Sequence, residues 1–549
     1  MKPRNPTPPA GVVLVVLVLA LLLPAAASGS DVNATEAVRV ADGDAKVVEL
    51  QAQHRLTSSA SKVDGNWEVA YFAGEEQVAV VLVDPGTGAV RESWTGYQVA
   101  WKMARGYEGA FGHKLNAPYV FLPLCALFLV GLIDWRRPRR VATLDLLVLL
   151  GFGVSHYFFN RAEVGVSVPL QYPVLLYLLG RALWIGLRGR GEGLRPVWPA
   201  AWLLIAALFL MGFRVGLNVS DSGVIDVGYA SVVGADRVAH GEQLYESFPS
   251  DVSQGDTYGP VNYLAYAPFE AIWPWRGEWD DLPAAHGAAV GFDLATFGLL
   301  ILLGLRIRPG PAGRKLAATL AFAWAAYPYT AFALESNSND TLVAALLVAT
   351  LLLASRPAAR GAFAALTTLT KFAPVVLVPM LATYKPSTRG TTGPALAAFV
   401  LTFLATIAVL LAWPALDPGL STVYDRTIAY QADRDSPFSI WGQVPSLEPL
   451  RIVVLVATGL LAIAFAFWPK RKTLTQTAAL GAALLIALQL TAQHWFYLYI
   501  AWFFPLLLVA FSSGEKPSGV VSDVPREAAP QSDSSAAKRH EINPAAGGI

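Results

Sequence analysis

The sequence predicts a mainly α-helical protein that crosses a membrane several times and carries a small α+β domain near its N-terminus. The chain has 549 residues, of which 54% are hydrophobic and only 15% are charged. This composition is typical of integral membrane proteins. Apolar segments long enough to cross a bilayer recur from residue 117 onward, whereas residues 30–115 are polar and contain none.

The first 29 residues have the organisation of a secretory signal. Lys2 and Arg4 precede an apolar run at 11–23, which is followed by a stretch of small residues. That order matches a signal peptide, and the run is short for a membrane span. We expect a cleaved signal peptide, with an uncleaved signal anchor as the alternative. Both place residues 30–115 outside the cytoplasm.

Residues 30–115 are predicted to form an exoplasmic α+β domain. The segments 67–72 and 77–83 are expected to be two strands around a Gly-Glu-Glu turn. The Asp-Pro-Gly-Thr-Gly turn at 84–88 leads into a third strand at 89–94. A helix within 40–58 is expected to pack on this sheet. The strand–turn–strand pattern resembles the PepSY-type modules found outside bacterial membranes.

The apolar segments give the predicted topology. Short basic tracts lie at 136–140, 188–190, 306–315, 356–360 and 470–472, and cytoplasmic loops are the usual place for such tracts. Alternate crossings that start from an exoplasmic N-terminal domain place every tract inside. Residues 116–196 are then accessory transmembrane helices, and 197–511 form the transmembrane core. The predicted spans are 117–133, 143–159, 168–187, 197–215, 285–305, 316–332, 341–355, 394–412, 450–468, 474–492 and 495–511.

The segment 361–384 requires a choice, because Lys371-Phe372-Ala373-Pro374 interrupts an apolar run. A single crossing would move the basic tract at 470–472 outside, whereas a re-entrant hairpin keeps it inside. We therefore predict a hairpin. Non-helical backbone at that depth must line a cavity or be buried in protein, which places Lys371 near an interior site. The tail 512–549, rich in Ser, Pro, Ala and charged residues, is expected to be disordered and cytoplasmic.

The loop between the apolar runs 197–215 and 285–305 has the composition of a binding or catalytic site. It contains carboxylates, tyrosines and tryptophans close to the membrane. Asp226 follows the end of a span, where burial can tune its protonation and allow it to act as a general base. A solvated loop aspartate is the alternative. Asp221 is the rival candidate, because it is closer to the end of the span.

This loop resembles the first exoplasmic loop of GT-C glycosyltransferases, most closely glycosyltransferase family 87, the polyprenyl-phosphate-dependent mannosyltransferases. The shared elements are an Asp before a Tyr, a Gly and Tyr pair, and a Tyr-x-Pro element. A short polar loop, a Lys-x-x-Pro element and a Gln-His-Trp element follow in the same order, so that the resemblance covers 197–511. These elements are Asp226, Tyr229, Gly241, Tyr245, Thr257-Tyr258-Gly259-Pro260, 337–340, Lys371-Phe372-Ala373-Pro374 and Gln493-His494-Trp495.

The resemblance implies a GT-C-type enzyme of the cell membrane and cell envelope, with its active site on the exoplasmic face. It would transfer a sugar, mannose by family analogy, from a polyprenyl-phosphate donor to an exoplasmic lipid or glycan acceptor. Membrane lipids are its expected surroundings. The family assigns catalysis to the first-loop aspartate, which corresponds to Asp226. A single displacement with inversion is the expected outcome.

A lipid-phosphate donor needs cations at the boundary between water and lipid. The candidates are Arg214, Lys371, Arg426 and Arg434. Arg214 lies near a span end, so snorkelling is its alternative role. An intramembrane lysine is costly and is by default a functional hypothesis. The expected partner of Lys371 is the donor phosphate or a carboxylate such as Glu335.

The remaining substrate-binding candidates are polar and aromatic residues of the exoplasmic loops. Asp256 either binds sugar hydroxyls or orders the turn before Tyr258. Aromatic residues near the last span either line the site or form an interfacial belt. No cofactor is predicted. Asp433-Arg434-Asp435 resembles the Asp-x-Asp string of sites that bind a metal ion and a nucleotide sugar. Nucleotide sugars are cytoplasmic, whereas this loop is predicted outside. The sequence leaves open whether the reaction requires a divalent metal. The candidates are Tyr229, Tyr245, Asp256, Tyr258, Asn339, Arg434 and His494.

Two functions of other classes compete with this interpretation. A transporter or flippase of lipid-linked sugars is expected to show duplicated halves and polar sites at the membrane midplane. The predicted polar residues gather on one face instead. A membrane scaffold or sensor would leave the acidic and aromatic loop unexplained. The net charge of +1 gives no indication of nucleic-acid binding.

Overall fold

The computed structural model describes residues 32–99, 113–189, 193–249, 252–384 and 393–512, apart from the single positions 64, 75, 97 and 435. The expected signal segment at 1–29 and the expected tail beyond Ser512 lie outside these residues. The described chain is mainly helical and contains a four-stranded antiparallel sheet near the N-terminus. The predicted combination of a helical protein with a small α+β region is therefore confirmed.

The N-terminal region is an antiparallel meander covered by two helices. Helix α1 spans Ala34–Asp42 and α2 spans Ala45–Gln53. The strands follow in the order β1-β2-β3-β4, and the three strands predicted from the sequence correspond to β2, β3 and β4. The single helix predicted within 40–58 is instead divided, because Asp44 caps α2 by accepting the backbone N–H of Lys46. The strands are β1 Thr57–Val63, β2 Asn66–Ala73, β3 Glu76–Val83 and β4 Val90–Thr95.

Strand β1 was not predicted from the sequence, and its composition explains why. It pairs with β2 from Thr57 opposite Phe72 to Val63 opposite Asn66. Almost all of its residues are exposed, so it is an edge strand with no apolar face. Alternation of apolar and polar residues is the main sequence signal for a strand. Because β1 lacks this alternation, it can be identified only in the structure, from its pairing with β2.

The rest of the chain is helical. Within the described residues, wide π-helical turns and 3-10 segments lie between the α-helices. The π-helical turns are Ala415–Gly419 and Asp425–Ala429, and the 3-10 segments include His113–Asn116, Ala373–Leu377, Pro445–Leu447 and Tyr497–Tyr499. The α-helices are α3 Pro118–Leu132, α4 Val141–Leu150, α5 Phe152–Phe159, α6 Val164–Arg188, α7 Ala200–Asp221, α8 Asp226–His240, α9 Pro260–Glu270, α10 Pro283–Ile307, α11 Gly310–Ala326, α12 Pro328–Glu335, α13 Asp340–Leu352, α14 Pro357–Thr368, α15 Val378–Ala382, α16 Gly393–Pro414, α17 Leu420–Tyr424, α18 Tyr430–Asp433, α19 Ile440–Gln443, α20 Glu448–Phe467, α21 Leu474–Gln489 and α22 Ile500–Phe511.

Six helices of the described chain are long and apolar enough to cross a membrane. Most of the other predicted spans are apolar helices of only 10–17 residues. The predicted span 316–332 is divided at Tyr327, whose extended backbone precedes Pro328, the first residue of α12. Three of them are the single helices α6, α7 and α10, and the other three are continuous helical segments made of several elements: Val141–Phe159, Gly393–Ala432, which has a kink at Asp417, and Pro445–Phe467.

The segment predicted as a hairpin consists of α14, a short turn around Lys371, and the 3-10 segment that continues into α15. Its two arms pack against each other, as expected of a hairpin. Its turn meets the loop before α9, because the backbone N–H groups of Gly259 and Val261 donate to the carbonyls of Thr370 and Leu369. A Cβ on Gly259 would lie 2.0 Å from the Leu369 carbonyl oxygen, so this close approach requires glycine.

Candidate functional site

A cavity of about 300 Å³ lies where several of the polar loops meet. The loop before α9, the hairpin turn, the segment around α18 and the start of α22 all contribute to its walls. One part of the wall is apolar, and the other part is polar and aromatic. The apolar residues are Phe372, Ala373, Ile428, Leu485, Leu488 and Ala492, and the remaining lining residues are Thr257, Tyr258, Lys371, Thr427, Gln431, Arg434, Gln489, Thr491, Gln493, His494, Tyr499 and Trp502.

Lys371 is held firmly on this wall. Its ammonium group lies 2.6 Å from a carboxylate oxygen of Asp340, the first residue of α13. The rings of Tyr258, Tyr499 and Trp502 lie 5.1–5.5 Å from the same ammonium group, within the range of cation–π attraction. The Asp340 oxygen also accepts the indole N–H of Trp502 at 2.7 Å. The positive charge of Lys371 is therefore compensated within the protein.

Arg434 lines the same cavity and has no comparable partner among the described residues. Its guanidinium makes no hydrogen bond or ion pair with another described residue. Its charge nevertheless acts on the cavity residues Tyr258, His494 and Tyr499. Among the described lining residues, Arg434 is thus the cation whose charge is available to a ligand.

His494 is a neutral polar group in this environment. Its Nδ1 lies 2.9 Å from the Ser436 hydroxyl, and its ring meets Phe438 edge to face. Burial lowers the pKa of His494 well below its usual value of 6.5, and the positive charges of Arg434 and Lys371 lower this pKa further. His494 can therefore offer a hydrogen bond without adding charge.

Asp226 is the first residue of α8, and its side chain is exposed. One carboxylate oxygen accepts the backbone N–H of Val227 at 2.9 Å. A negative charge at a helix N-terminus is stabilised by the helix dipole. The charge of Asp226 acts on Lys371, Tyr258 and Tyr499, all of which line the cavity. The carboxylate is thus accessible, and it does not itself line the cavity, although its charge acts on three residues that do.

The carboxylate of Asp221, the rival candidate, is already bound by another residue of the protein. It ends α7, and one of its carboxylate oxygens lies 2.8 Å from the ammonium group of Lys114. The other oxygen accepts the backbone N–H of Lys114 at 3.1 Å. Both oxygens therefore join the end of α7 to the segment before α3, and Asp221 does not line the cavity.

Arg214 and Tyr229 lie away from the cavity. The guanidinium of Arg214 is only 1% exposed and pairs with Asp293 on α10 at 2.8 Å. It also donates to the Trp324 carbonyl at 2.9 Å. Arg214 therefore neither snorkels nor reaches the cavity. Tyr229 is buried and stacks on Trp279 with ring centroids 4.7 Å apart.

Asp256 and Tyr245 support the loop that carries Tyr258. The fully buried Asp256 carboxylate binds Arg426 through two contacts, at 2.6 and 2.7 Å, and accepts the backbone N–H of Glu246 at 2.7 Å. The Tyr245 hydroxyl donates to the Tyr258 carbonyl at 3.1 Å. These contacts favour the turn-ordering role of Asp256 over sugar binding, and they occupy Arg426.

Asn339 also supports the site rather than lining it, since it is buried and donates to the side-chain oxygen of Asn262 at 2.7 Å. Its neighbour Asp340, which the sequence analysis did not single out, is the partner of Lys371. A lysine predicted inside the membrane needs a counter-charge, and this need indicated that a carboxylate such as Asp340 would lie beside Lys371. Glu335, the example of a carboxylate partner given from the sequence, makes no hydrogen bond through either oxygen to the described residues.

Within the described residues, no group of three or more His, Cys, Asp and Glu side chains could hold a metal ion. Position 435 of the Asp433-Arg434-Asp435 string lies outside those residues. No model of a known protein family matches the chain, and no curated protein matches it. The functional proposal therefore depends on the geometry of the cavity.

Proposed function

We propose that this protein is a membrane glycosyltransferase of the GT-C type that transfers a sugar from a polyprenyl-phosphate donor to an exoplasmic acceptor. The observation that carries the proposal is the composition of one cavity. It combines an apolar wall with the cation Arg434, which has no acidic partner among the described residues, and the charge of the exposed Asp226 carboxylate acts on three of its lining residues. Each feature corresponds to one part of the donor or one step of the reaction.

The apolar wall fits the isoprenoid end of the donor. Leu485 and Leu488 belong to the last turns of the apolar helix α21, and Phe372 follows the hairpin turn. Ile428 is 45% exposed, and it lines the cavity from the long apolar segment Gly393–Ala432. A prenyl chain that enters along these side chains leaves water for an apolar surface, which favours binding.

Arg434 fits the phosphate. A guanidinium offers paired N–H donors that match phosphate oxygens. Lys371 is less suited to this role, because Asp340 already compensates its charge. When the bond between sugar and phosphate breaks, negative charge develops on the leaving phosphate. A cation fixed at this position stabilises that charge in the transition state.

The aromatic part of the wall fits the sugar. Tyr258, Tyr499 and Trp502 surround Lys371 and offer ring faces, and His494 is a neutral hydrogen-bonding group. A hexose presents both C–H faces and hydroxyl groups, so it suits such a surface. Mannose is the sugar implied by the family resemblance.

Asp226 fits the role of general base. In the proposed reaction its carboxylate takes the proton of an acceptor hydroxyl, and the hydroxyl oxygen attacks the anomeric carbon. The bond from that carbon to the phosphate oxygen breaks, and its electron pair leaves with the polyprenyl phosphate. Attack from the opposite side inverts the anomeric configuration. Asp221 is poorly suited to this step, because Lys114 occupies both of its oxygens.

The proposal is tested by incubating the purified protein with radiolabelled polyprenyl-phosphate hexoses and a membrane-lipid acceptor fraction. The expected result is label in a new glycoside together with released polyprenyl phosphate. A flippase would instead move the donor between leaflets with its glycosidic bond intact, and a scaffold would do neither. Donor translocation without bond cleavage would contradict the proposed reaction.

A further inference from the structure

The polar loop 335–340 between α12 and α13 is completely buried, although all six of its residues are polar. Each is at most 1% exposed. Buried polar groups are normally hydrogen-bonded, so such a loop requires partners inside the protein. Its partners include the segments that carry Asp226 and Lys371.

Asn337 makes the most complete set of these contacts. Its side-chain amide donates to the Ser222 hydroxyl at 3.0 Å and to the Gly223 carbonyl at 2.9 Å. Its side-chain oxygen accepts from the amide of Asn218 at 2.8 Å. Its backbone has a φ of +49°, in the left-handed region that asparagine and glycine adopt more readily than other residues. Asn337 therefore joins the loop 335–340 to the end of α7 and the turn after it.

The backbone of the same loop contacts the other side of that turn. The backbone N–H of Ile225 points to the Ser336 carbonyl at 3.4 Å, a long contact. A Cβ on Gly228 would lie 2.4 Å from the Asn337 carbonyl oxygen, so the first turn of α8 packs directly on Asn337. Asp226 lies between these two contacts. The loop thus supports the backbone on both sides of the proposed base.

Asp226 depends on this support, because little else fixes its side chain. The hydrogen bond found for its carboxylate within the described residues comes from the neighbouring Val227 N–H. The position of the carboxylate relative to the cavity therefore follows from the backbone. A misplacement of about 1 Å in an active site can cost about 100-fold in rate.

We propose that Asn337 is a positioning residue that sets the distance between the Asp226 carboxylate and the cavity. This inference rests on the proposed function. Asp340, three residues later, holds Lys371 on the cavity wall, so one loop fixes both the base and the wall against which the donor lies. Asn337 acts through the turn 222–225 and does not itself line the cavity.

The test uses changes that alter the side chain of Asn337 but allow its backbone conformation. Asn337→Gly removes all three hydrogen bonds and tolerates a positive φ. Asn337→Asp keeps the oxygen that faces Asn218 but loses both donated bonds. The kcat for transfer is expected to fall by about 10- to 100-fold, while the KM for the donor stays the same. Should the variants at 337 fail to fold, Ser222→Ala removes one bond from the other side, and the same split between kcat and KM is expected.

The matched control is Asn262→Asp, the same change at an equally buried asparagine. Its amide donates to Ser231 and accepts from Asn339, and it makes no contact with the turn 222–225 among the hydrogen bonds of the described residues. Asn262→Asp is expected to destabilise the fold about as much as Asn337→Asp, because both residues are fully buried, but to leave kcat unchanged. Equal losses of kcat at 262 and 337 would show a general structural effect and overturn the inference.

A second readout does not depend on activity. An introduced Asp226→Cys thiol is joined to a second thiol at Gln431→Cys, an exposed position on the cavity wall, by a short thiol-to-thiol cross-linker in a Cys125→Ala background, and the product is quantified by mass spectrometry. Asn337→Gly is expected to reduce this product, and an unchanged yield would overturn the inference. Wild-type transfer by Asp226→Asn would instead overturn the proposed function, while the cross-link still reports whether Asn337 sets this distance.

Discussion

The ammonium group of Lys371 lies 2.6 Å from the carboxylate of Asp340, and the Trp502 indole donates to the same carboxylate oxygen. This relationship joins the hairpin turn to the first residue of α13 and the start of α22. Of the two partners that the sequence left open for Lys371, the donor phosphate and a carboxylate, the structure contains a carboxylate, and it is Asp340 instead of Glu335. A lysine that is already paired forms part of the wall of the cavity, and we therefore propose Arg434 as the contact for the donor phosphate.

The first prediction concerns the stability of this pair. Asp340→Asn leaves the buried Lys371 charge without its counter-charge, and breaking a buried pair in this way typically costs about 3–5 kcal/mol. The double variant Asp340→Asn, Lys371→Met removes both charges and is expected to recover most of that loss. Thermal unfolding in detergent measures both effects.

An exposed pair serves as the control for that experiment. Glu36 and Arg39 are on the surface of α1, and pairs of this kind contribute little to stability. Glu36→Gln is therefore expected to unfold like the wild type. If Asp340→Asn were equally stable, or if the double variant were no better than the single one, the pair would not hold the hairpin turn in place.

The second prediction concerns donor binding. Arg434→Gln removes the charged donor proposed for the phosphate, and hydrogen bonds to charged groups are worth about 1.5–3 kcal/mol. The KM for the donor should rise by about 10- to 100-fold, and Arg434→Lys should recover part of this loss. Arg161→Gln is the control, because Arg161 is exposed and pairs with Glu163. An unchanged KM in Arg434→Gln would remove Arg434 from the proposed phosphate site.

The third prediction uses the buried carboxyl of Glu335. Burial raises the pKa of Glu335 from 4.5 to about 9, and neither of its oxygens has a hydrogen-bond partner in the part of the chain that the structure describes. Between these two values the folded protein holds a proton that the unfolded chain has released. Stability is therefore expected to fall as the pH rises through this window.

Glu335→Gln resembles the protonated side chain and cannot titrate. Its stability should depend less on pH than that of the wild type, and above neutral pH it should be at least as stable. Thermal unfolding on both sides of neutrality makes the comparison. Parallel pH dependences in the two proteins would show that Glu335 is not protonated in the folded state.

The fourth prediction concerns topology. Ser253 and Ala312 are both exposed, and they lie in loops predicted on opposite sides of the membrane. In a Cys125→Ala background, a membrane-impermeant thiol reagent should label Ser253→Cys in intact cells and should label Ala312→Cys only after lysis. The basic residues at 306–315 are the reason for placing Ala312 inside. Labelling of Ala312→Cys in intact cells would show that this loop is outside, and the cavity would then open to the cytoplasm instead of the exoplasm.

Features encoded by local patterns could be predicted from the sequence. Strand β2 is rich in aromatic and β-branched residues, β3 contains the apolar run 78–83, and long helices such as α7 and α10 are apolar runs, so each carries its own signal. Strand β1 carries none, because five of its seven residues are polar and they leave no apolar face, so its pairing with β2 defines it. Pro328 is the sequence signal for the break at Tyr327, but the apolar residues continue across it, so the sequence analysis predicted one span where the structure has two helices.

The site could be predicted only in part, because its contacts join distant residues. The sequence indicated that Lys371, Arg434, Tyr258 and His494 matter, and all four line the cavity. It did not reveal that Arg214 pairs with Asp293 or that Asp256 pairs with Arg426, which is 170 residues away. Such pairings depend on how the helices pack, which the periodicity of a single helix does not encode.

The central claim is that Asp226 is the general base, and the most direct test compares Asp226→Asn with the wild type. Both proteins, correctly folded and inserted, are assayed for transfer from a radiolabelled polyprenyl-phosphate sugar, with Asp221→Asn as the matched control. Turnover of Asp226→Asn should fall by about 10²- to 10⁴-fold, the usual contribution of a general base. Donor binding should change little, and Asp221→Asn should be milder. Near-wild-type transfer by Asp226→Asn would contradict the account, and loss of activity in Asp221→Asn alone would move the role to Asp221.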